Sequence, residues 1–247
     1  MASAHLAIDL GASSGRAIVG VLEGDSPQLR LEEMHRFEHL PCPTPSGPVW
    51  DLTGIWQAIL TGLREASLWC RENDAELKSI GVDTWGVDWT LVGKTGELLA
   101  LSHCYRDPKH DESCKRVLEK LGGFEYLYQH TGIQLLPFNT IFQIVLRQEL
   151  EPQQFEAAHR LLFLPDLFHF WLSGEITTER TIASTSSMLS VENGEWDSEL
   201  LEKLRLPKHL FGPLIEPGEV IGILRDEVAE LTGANKNIQV IAPASHD

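Results

Sequence analysis

One segment near the start restricts the fold more than any other: "AIDLGASSGRAIV", residues 7–19. An apolar run closes on Asp9, a turn of small residues follows, and a second apolar run, "RAIVGVLEG", begins at once. A parallel neighbour needs a crossover of a dozen or more residues, so strands this close must pair antiparallel. After a turn at Gly24-Asp25, "LRLEEMHRFEH" (Leu29–His39) alternates well enough to be the third strand.

Downstream the periodicity changes. "PCPTPSGP" reads as a plain loop. Leu52, Ile55, Trp56, Ile59, Leu60, Leu63 and Ala66 then recur at helical spacing, with Asp51 placed to cap the helix. A buried strand over Ser79–Asp83 leads into "TWGVDWTLV" and a turn at Lys94-Thr95-Gly96. Beyond Tyr105-Arg106-Asp107 the pattern becomes mainly helical. "KRVLEKLGG" and "FEYLYQHTG" end in glycine stops, and "NTIFQIVLRQEL" supplies another helix. "HRLLFLPDLFHFWLSG" joins a short strand to a Pro-initiated helix, and "EVIGILRDEVAELTG" gives a strand and a helix before a last strand, Asn237–Ile241. The predicted class is α/β: a mixed sheet with an antiparallel front hairpin, flanked by helices.

Composition narrows the function. A formal net charge of -16 argues against nucleic-acid binding, which rests on clustered Lys and Arg. It leaves room for a small anionic ligand, which responds to local fields. No apolar stretch approaches a membrane span, and the first residues lack a secretory pattern. The cysteines (Cys42, Cys70, Cys104, Cys114) form no CxxC pair and are too sparse for a disulfide scaffold. A soluble, cytoplasmic protein is expected.

Three stretches could carry chemistry. In the first, a Gly- and Ser-rich turn between two strands can bring backbone N–H groups to phosphate oxygens, with the Ser13 and Ser14 hydroxyls as further donors. Asp9 then stands where a phosphate-bound Mg²⁺ needs an oxygen ligand, reached through water. An ordinary hairpin with a glycine-rich turn explains the same residues equally well. The second stretch, "SIGVDTWGVDW", offers Gly86 for close ligand approach and two carboxylates, Asp83 and Asp88. Trp85 could pack on a sugar, but Trp85 and Trp89 are expected to be core aromatics. The third is the ending, Ser245-His246-Asp247, whose adjacent residues point to alternate sides and so cannot form a hydrolase triad among themselves. Asp247 is a candidate general base with His246 bonding the substrate; otherwise both are solvated polar residues. His103, Cys104, His110 and Cys114 match no common zinc spacing, and the hydroxyl-rich run Thr181–Leu189 is expected to cover a helix start.

Together, "AIDLGASSGRAIV", "HRF" (His35–Phe37), "SIGVDTWGVDW", "YRDPKHD", "TGIQLLPFNTIFQI", "FLPDLFHFWLSG" and "ASHD" resemble the FGGY carbohydrate kinases of the actin/hexokinase/Hsp70 superfamily. The likeness runs across essentially the whole chain and is closest to those members that act on L-rhamnulose. It implies a ribonuclease H-like, actin-like ATPase lobe and ATP- and Mg²⁺-dependent phosphorylation of L-rhamnulose at O1. By the same resemblance, Ala12, Ser13, Ser14, Gly15 and Arg16 form the ATP-phosphate turn and Asp9 lies near the metal. Gly86, His246 and Asp247 belong to the sugar site, and Asp247 accepts the proton. Residues 1–247 then correspond to the first, sugar-binding lobe of a two-lobed kinase whose adenosine-carrying lobe is missing, so the piece alone is expected to be nearly inactive. The partners implied are the sugar and ATP, with no nucleic acid and no membrane. Alternatives are kinases of xylulose, fuculose or glycerol, a nucleotide-operated chaperone or filament protein, and a noncatalytic binding lobe.

Overall fold

The computed structural model describes residues 2–23 and 28–246; the turn expected at Gly24-Asp25 and the terminal Asp247 lie outside the described residues. The chain opens with β1 (Ala2–Leu10), β2 (Ser14–Glu23) and β3 (Gln28–Glu38), paired antiparallel in succession. Alternation along β1 sends Ala4, Leu6, Ile8 and Leu10 into the core.

The "PCPTPSGP" loop is more structured than its prolines suggest. It forms a small hairpin of β4 (Cys42–Thr44) and β5 (Gly47–Val49), with Pro43 opposite Pro48. Alternate pairs in an antiparallel ladder exchange no hydrogen bonds, so the two missing N–H groups fall where none is needed.

Helix α1 (Leu52–Glu72) starts where expected, the Asp51 side chain accepting from Gly54 N–H at 2.9 Å. It crosses over to β6 (Ala75–Thr84), which lies parallel to β1 and is longer than the buried stretch expected from sequence. The following elements are β7 (Trp89–Val92), α2 (Lys109–Leu121), α3 (Phe124–Thr131), α4 (Thr140–Leu150), α5 (Pro152–Ala157), β8 (Arg160–Phe163) and α6 (Leu164–Ser173). Helices α2 and α3 stop at glycines in the left-handed region, as the sequence signals predict, and α6 ends the same way at Gly174. The chain finishes with β9 (Thr178–Glu179), α7 (Arg180–Ser184), α8 (Ser198–Lys203), β10 (Leu214–Ile215), β11 (Val220–Ile223), α9 (Asp226–Thr232) and β12 (Gln239–Ile241).

The main sheet has six strands in the order β11-β12-β6-β1-β2-β3, with β12 and β1 parallel to β6 on either side. This is the mixed sheet with an antiparallel front that the sequence predicts. One core joins the sheet to α1, α6 and α9, with Trp56 and Trp171 edge to face at 5.4 Å. A second core gathers β7, β8 and the helices α2, α3, α4 and α8 around Phe142, Phe163 and Leu200. Loops leaving the C-terminal ends of β1, β6 and β12 meet beside this second core. In sheets with parallel strands, ligands bind at such ends.

Candidate functional site

The Gly/Ser turn between β1 and β2 is closed by its own backbone, with Gly11 N–H donating to the Ser14 carbonyl at 2.9 Å. Neighbouring chain holds it from outside: His39 N–H donates to Ser13 O (3.1 Å) and Trp85 N–H to Leu10 O (3.0 Å). Gly15 is packed so closely that a Cβ there would collide with the Phe37 ring. Arg16 stands opposite Asp9 in the ladder and forms an ion pair with it, both side chains partly exposed. A second cation, missed in the sequence reading, reaches the same turn. Arg106 donates from Nη2 to Ala12 O at 3.2 Å and lies over the Tyr105 ring at 5.2 Å. The turn thus combines a carboxylate, two guanidiniums and two hydroxyls, a set suited to a polyphosphate.

Beside the turn opens a cavity of about 500 Å³, walled by Trp85, Val87, Ile133, Leu136 and Phe138, with Gly86 and His246 facing each other. A Cβ on Gly86 would sit 2.8 Å from His246 Nε2 and 3.2 Å from Thr185 Cγ2, so only glycine leaves this opening clear. Trp89 is buried in the second core as expected, but Trp85 is a cavity wall as well as a packing residue. Its ring stacks on His39 at 5.1 Å and leans on Trp50 at 4.3 Å. Burial holds the His39 imidazole below its ordinary range, which favours the neutral form.

Backbone strain marks the same wall. Val87 has φ +69°, a conformation that costs a β-branched residue on the order of 1–3 kcal/mol. Its N–H donates to Thr185 Oγ1 (3.1 Å), and its carbonyl accepts from Thr140 Oγ1 (2.7 Å). Asp88, next along, is fully buried and accepts from both Trp50 and Trp85.

The end of the described chain is held by a residue that periodicity could not reveal. Glu179, fully buried, caps α7 by accepting from Thr181 N–H (2.7 Å) and Ile182 N–H (3.1 Å), and the same carboxylate accepts from Ser245 N–H at 3.1 Å. Thr181 Oγ1, bonded to Glu179 at 2.5 Å, accepts from His246 N–H at 3.3 Å. Thr84 N–H donates to Ser245 O at 3.0 Å, and Thr84 and His246 form a parallel bridge. The hydroxyl-rich run does cover a helix start, and its first threonine also ties down the chain end. Only the sequence position of Glu179, just before that run, could have hinted at the cap. Behind it, Asp166 accepts from Glu179 N–H at 3.0 Å, and burial raises its carboxyl well above the usual range.

The structure therefore gathers Gly86 and His246 into one cavity and ties Ala12–Arg16 and Asp9 to its edge through Leu10, Trp85, Tyr105 and Arg106. Asp83 lies beside Asp9 in the β1–β6 register. Asp247 falls outside the described residues. His103, Cys104, His110 and Cys114 do not line the cavity; burial pushes His103 down to about 4 and the Cys104 thiol up to about 11. No three candidate metal ligands converge among the described residues. Among the same residues, no helix is long and apolar enough to cross a membrane.

Comparison with known proteins adds sequence likeness to this geometry. Residues 4–247 match the FGGY family of carbohydrate kinases, N-terminal domain. A rhamnulokinase of Pectobacterium atrosepticum is 37% identical over 98% of this chain and 47% of its own length. One of Bacteroides thetaiotaomicron is 38% identical over 98% and 48%. The chain spans about half the length of these relatives. Among solved structures, a ligand-bound xylulose kinase from Lactobacillus acidophilus superposes with a TM-score of 0.83 at 17% identity, over 97% of this chain and 47% of that one. Plasmodium falciparum glycerol kinase with ADP gives 0.82 at 14% identity, over 98% and 48%.

Proposed function

The chain belongs to the FGGY family of carbohydrate kinases and has their actin-like ATPase fold, and from that premise we propose that the protein phosphorylates L-rhamnulose at O1 with ATP. The chain is read as the sugar-binding lobe, with a second lobe supplying the adenosine pocket. The carrying observation is the cavity beside the Gly/Ser turn, where Gly86 and His246 face each other between apolar walls. Trp85, Ile133, Leu136 and Phe138 suit the methyl group and the nonpolar ring face of a 6-deoxy sugar. Xylulose and glycerol offer no such methyl; fuculose does.

In this reading the turn residues Ala12 to Arg16, joined by Arg106, hold the nucleotide's phosphates. Phosphoryl transfer depends mainly on such positioning and on charge stabilisation. Gly86 and His246 hold the sugar so that O1 points at the γ-phosphorus. Asp247 accepts the O1 proton as the new O–P bond forms and the bond to the ADP oxygen breaks. Asp9, a hard carboxylate at the foot of the turn paired with Arg16, would help hold Mg²⁺ through water. When bound, the ion would neutralise phosphate charge.

The test is a substrate panel with ATP, run on a two-lobed polypeptide carrying this chain. L-Rhamnulose should give the highest kcat/KM; a better rate with xylulose or glycerol would overturn the assignment. Asp247→Asn in that polypeptide should lower kcat by about 10²–10⁴-fold, and a variant with normal kcat would take the base role from Asp247.

A further inference from the structure

We propose that Asp88, which does not line the cavity, is a positioning residue: its carboxylate clamps the indoles of Trp50 and Trp85 and so sets the shape of the wall on which the sugar rests. The part of this statement that concerns sugar rests on the function proposed above; the clamp itself does not.

Asp88 is fully buried, yet it is richly supplied with donors. Its Oδ2 accepts from Trp50 Nε1 at 2.6 Å, from Trp85 Nε1 at 2.9 Å and from Tyr105 N–H at 3.3 Å. Its Oδ1 accepts from Gln143 Nε2 at 3.3 Å. An indole N–H can only donate, and a buried one needs an acceptor. Two indoles sharing one oxygen are forced together, with ring centroids 4.3 Å apart and planes tilted by 43°. Trp50 is the fixed member: it is buried, and its backbone N–H donates to Ser102 O at 2.8 Å. Trp85 is the working member, with its ring on the cavity. The third donor, Tyr105 N–H, belongs to the segment that carries Arg106 to the Gly/Ser turn, so one carboxylate registers the sugar wall against the phosphate turn.

An amide could not replace it. Gln143 also donates to Phe138 O (2.8 Å) and Val87 O (3.3 Å), which fixes its NH₂ toward Asp88. An Asn at this place would turn an NH₂ either toward Gln143 or toward the indoles, donor against donor. Burial raises the Asp88 carboxyl to about 6 while its four donors oppose the rise, so it is ionised at neutral pH.

The experiment uses this chain and three readouts. The first is the exciton couplet of the Trp50–Trp85 pair in circular dichroism. Asp88→Asn should lose most of the couplet while thermal unfolding stays cooperative; an intact couplet overturns the proposal. The second readout needs no variant at Asp88, in case that one fails to fold. Of the seven tryptophan indole N–H resonances, those of Trp50 and Trp85, assigned with Trp50→Phe and Trp85→Phe, should be shifted downfield and slow to exchange. A Trp85 indole proton exchanging at the solvent rate overturns the clamp. The third is L-rhamnulose affinity by calorimetry. Asp88→Asn should weaken it about tenfold, the effect of one charge-assisted hydrogen bond. The loss should vanish in a Trp85→Ala background, because the residue acts through that ring. A loss that adds in full overturns the positioning role. If the unaltered chain shows the couplet and the protected indole but no affinity for L-rhamnulose, the clamp stands and the sugar assignment falls.

Discussion

The Gly/Ser turn and the cavity wall lie side by side, yet they are held by different forces. The turn relies on backbone hydrogen bonds and on a partly exposed Asp9–Arg16 pair. The wall hangs on two buried carboxylates: Asp88 gathers Trp50, Trp85, Tyr105 and Gln143, while Glu179 gathers α7 and the chain end. Water screens the first kind of contact, so each side chain there contributes little. It is excluded from the second, where a lost partner leaves several donors unsatisfied. The contrast teaches that the turn is set mainly by main-chain geometry, whereas the cavity wall is set by a few buried side chains.

Four measurements can break or sharpen this contrast. Glu179→Ala should have the largest effect, costing roughly 3 kcal/mol or more because the N–H groups of Thr181, Ile182 and Ser245 lose their acceptor together. Denaturant unfolding reads it directly, and a cost below about 1 kcal/mol would remove the buried hub from the account. Gly86→Ala comes next, with stability changed by less than about 1 kcal/mol. Affinity for L-rhamnulose should fall about tenfold as the new methyl meets His246; unchanged affinity would separate Gly86 from the sugar.

The third measurement concerns pH. His169, buried beneath β6, accepts from Val82 N–H at 3.0 Å, and burial pushes its pKa from the ordinary 6.5 down to about 3. Between these values the unfolded chain binds a proton that the folded chain refuses, so stability falls as pH drops below 6.5. Asp88 has the opposite sign: raised from 3.8 to about 6, it takes up its proton first in the folded state and offsets part of the loss in that window. His169→Gln should flatten the acid-side decline of Tm measured by scanning calorimetry, and an unaltered slope would reject His169 as its source. Arg16→Ala should do least, changing stability by less than about 1 kcal/mol. A larger destabilisation would mean that the turn, too, depends on its side chains.

Much of the fold was legible because it follows from short-range rules. The gap between Asp9 and Arg16 leaves no room for a crossover, Asp51 precedes an apolar stripe at helical spacing, and glycines close α2 and α3. "PCPTPSGP" misled because prolines argue against a ladder unless their positions oppose each other, which only the register reveals. Gly86 and His246 could be named from sequence, as a gap between bulky neighbours and as part of the likeness to the family. The supports of the site could not. Asp88 stood out as a carboxylate near Gly86, but its partner Trp50 lies 38 residues away; Glu179 meets Ser245 across 66 residues. Trp85 is expected in the core because an aromatic residue at the end of a buried strand carries no sign of which side meets a cavity.

The left-handed turn at Val87 has a consequence for how this wall can vary. A glycine there would relieve the torsional penalty at once, yet it would also free the segment between Gly86 and Asp88 to sample other shapes. Retaining valine exchanges some thermodynamic comfort for a single wall geometry, so a cavity with little slack is bought with a residue that would rather sit elsewhere.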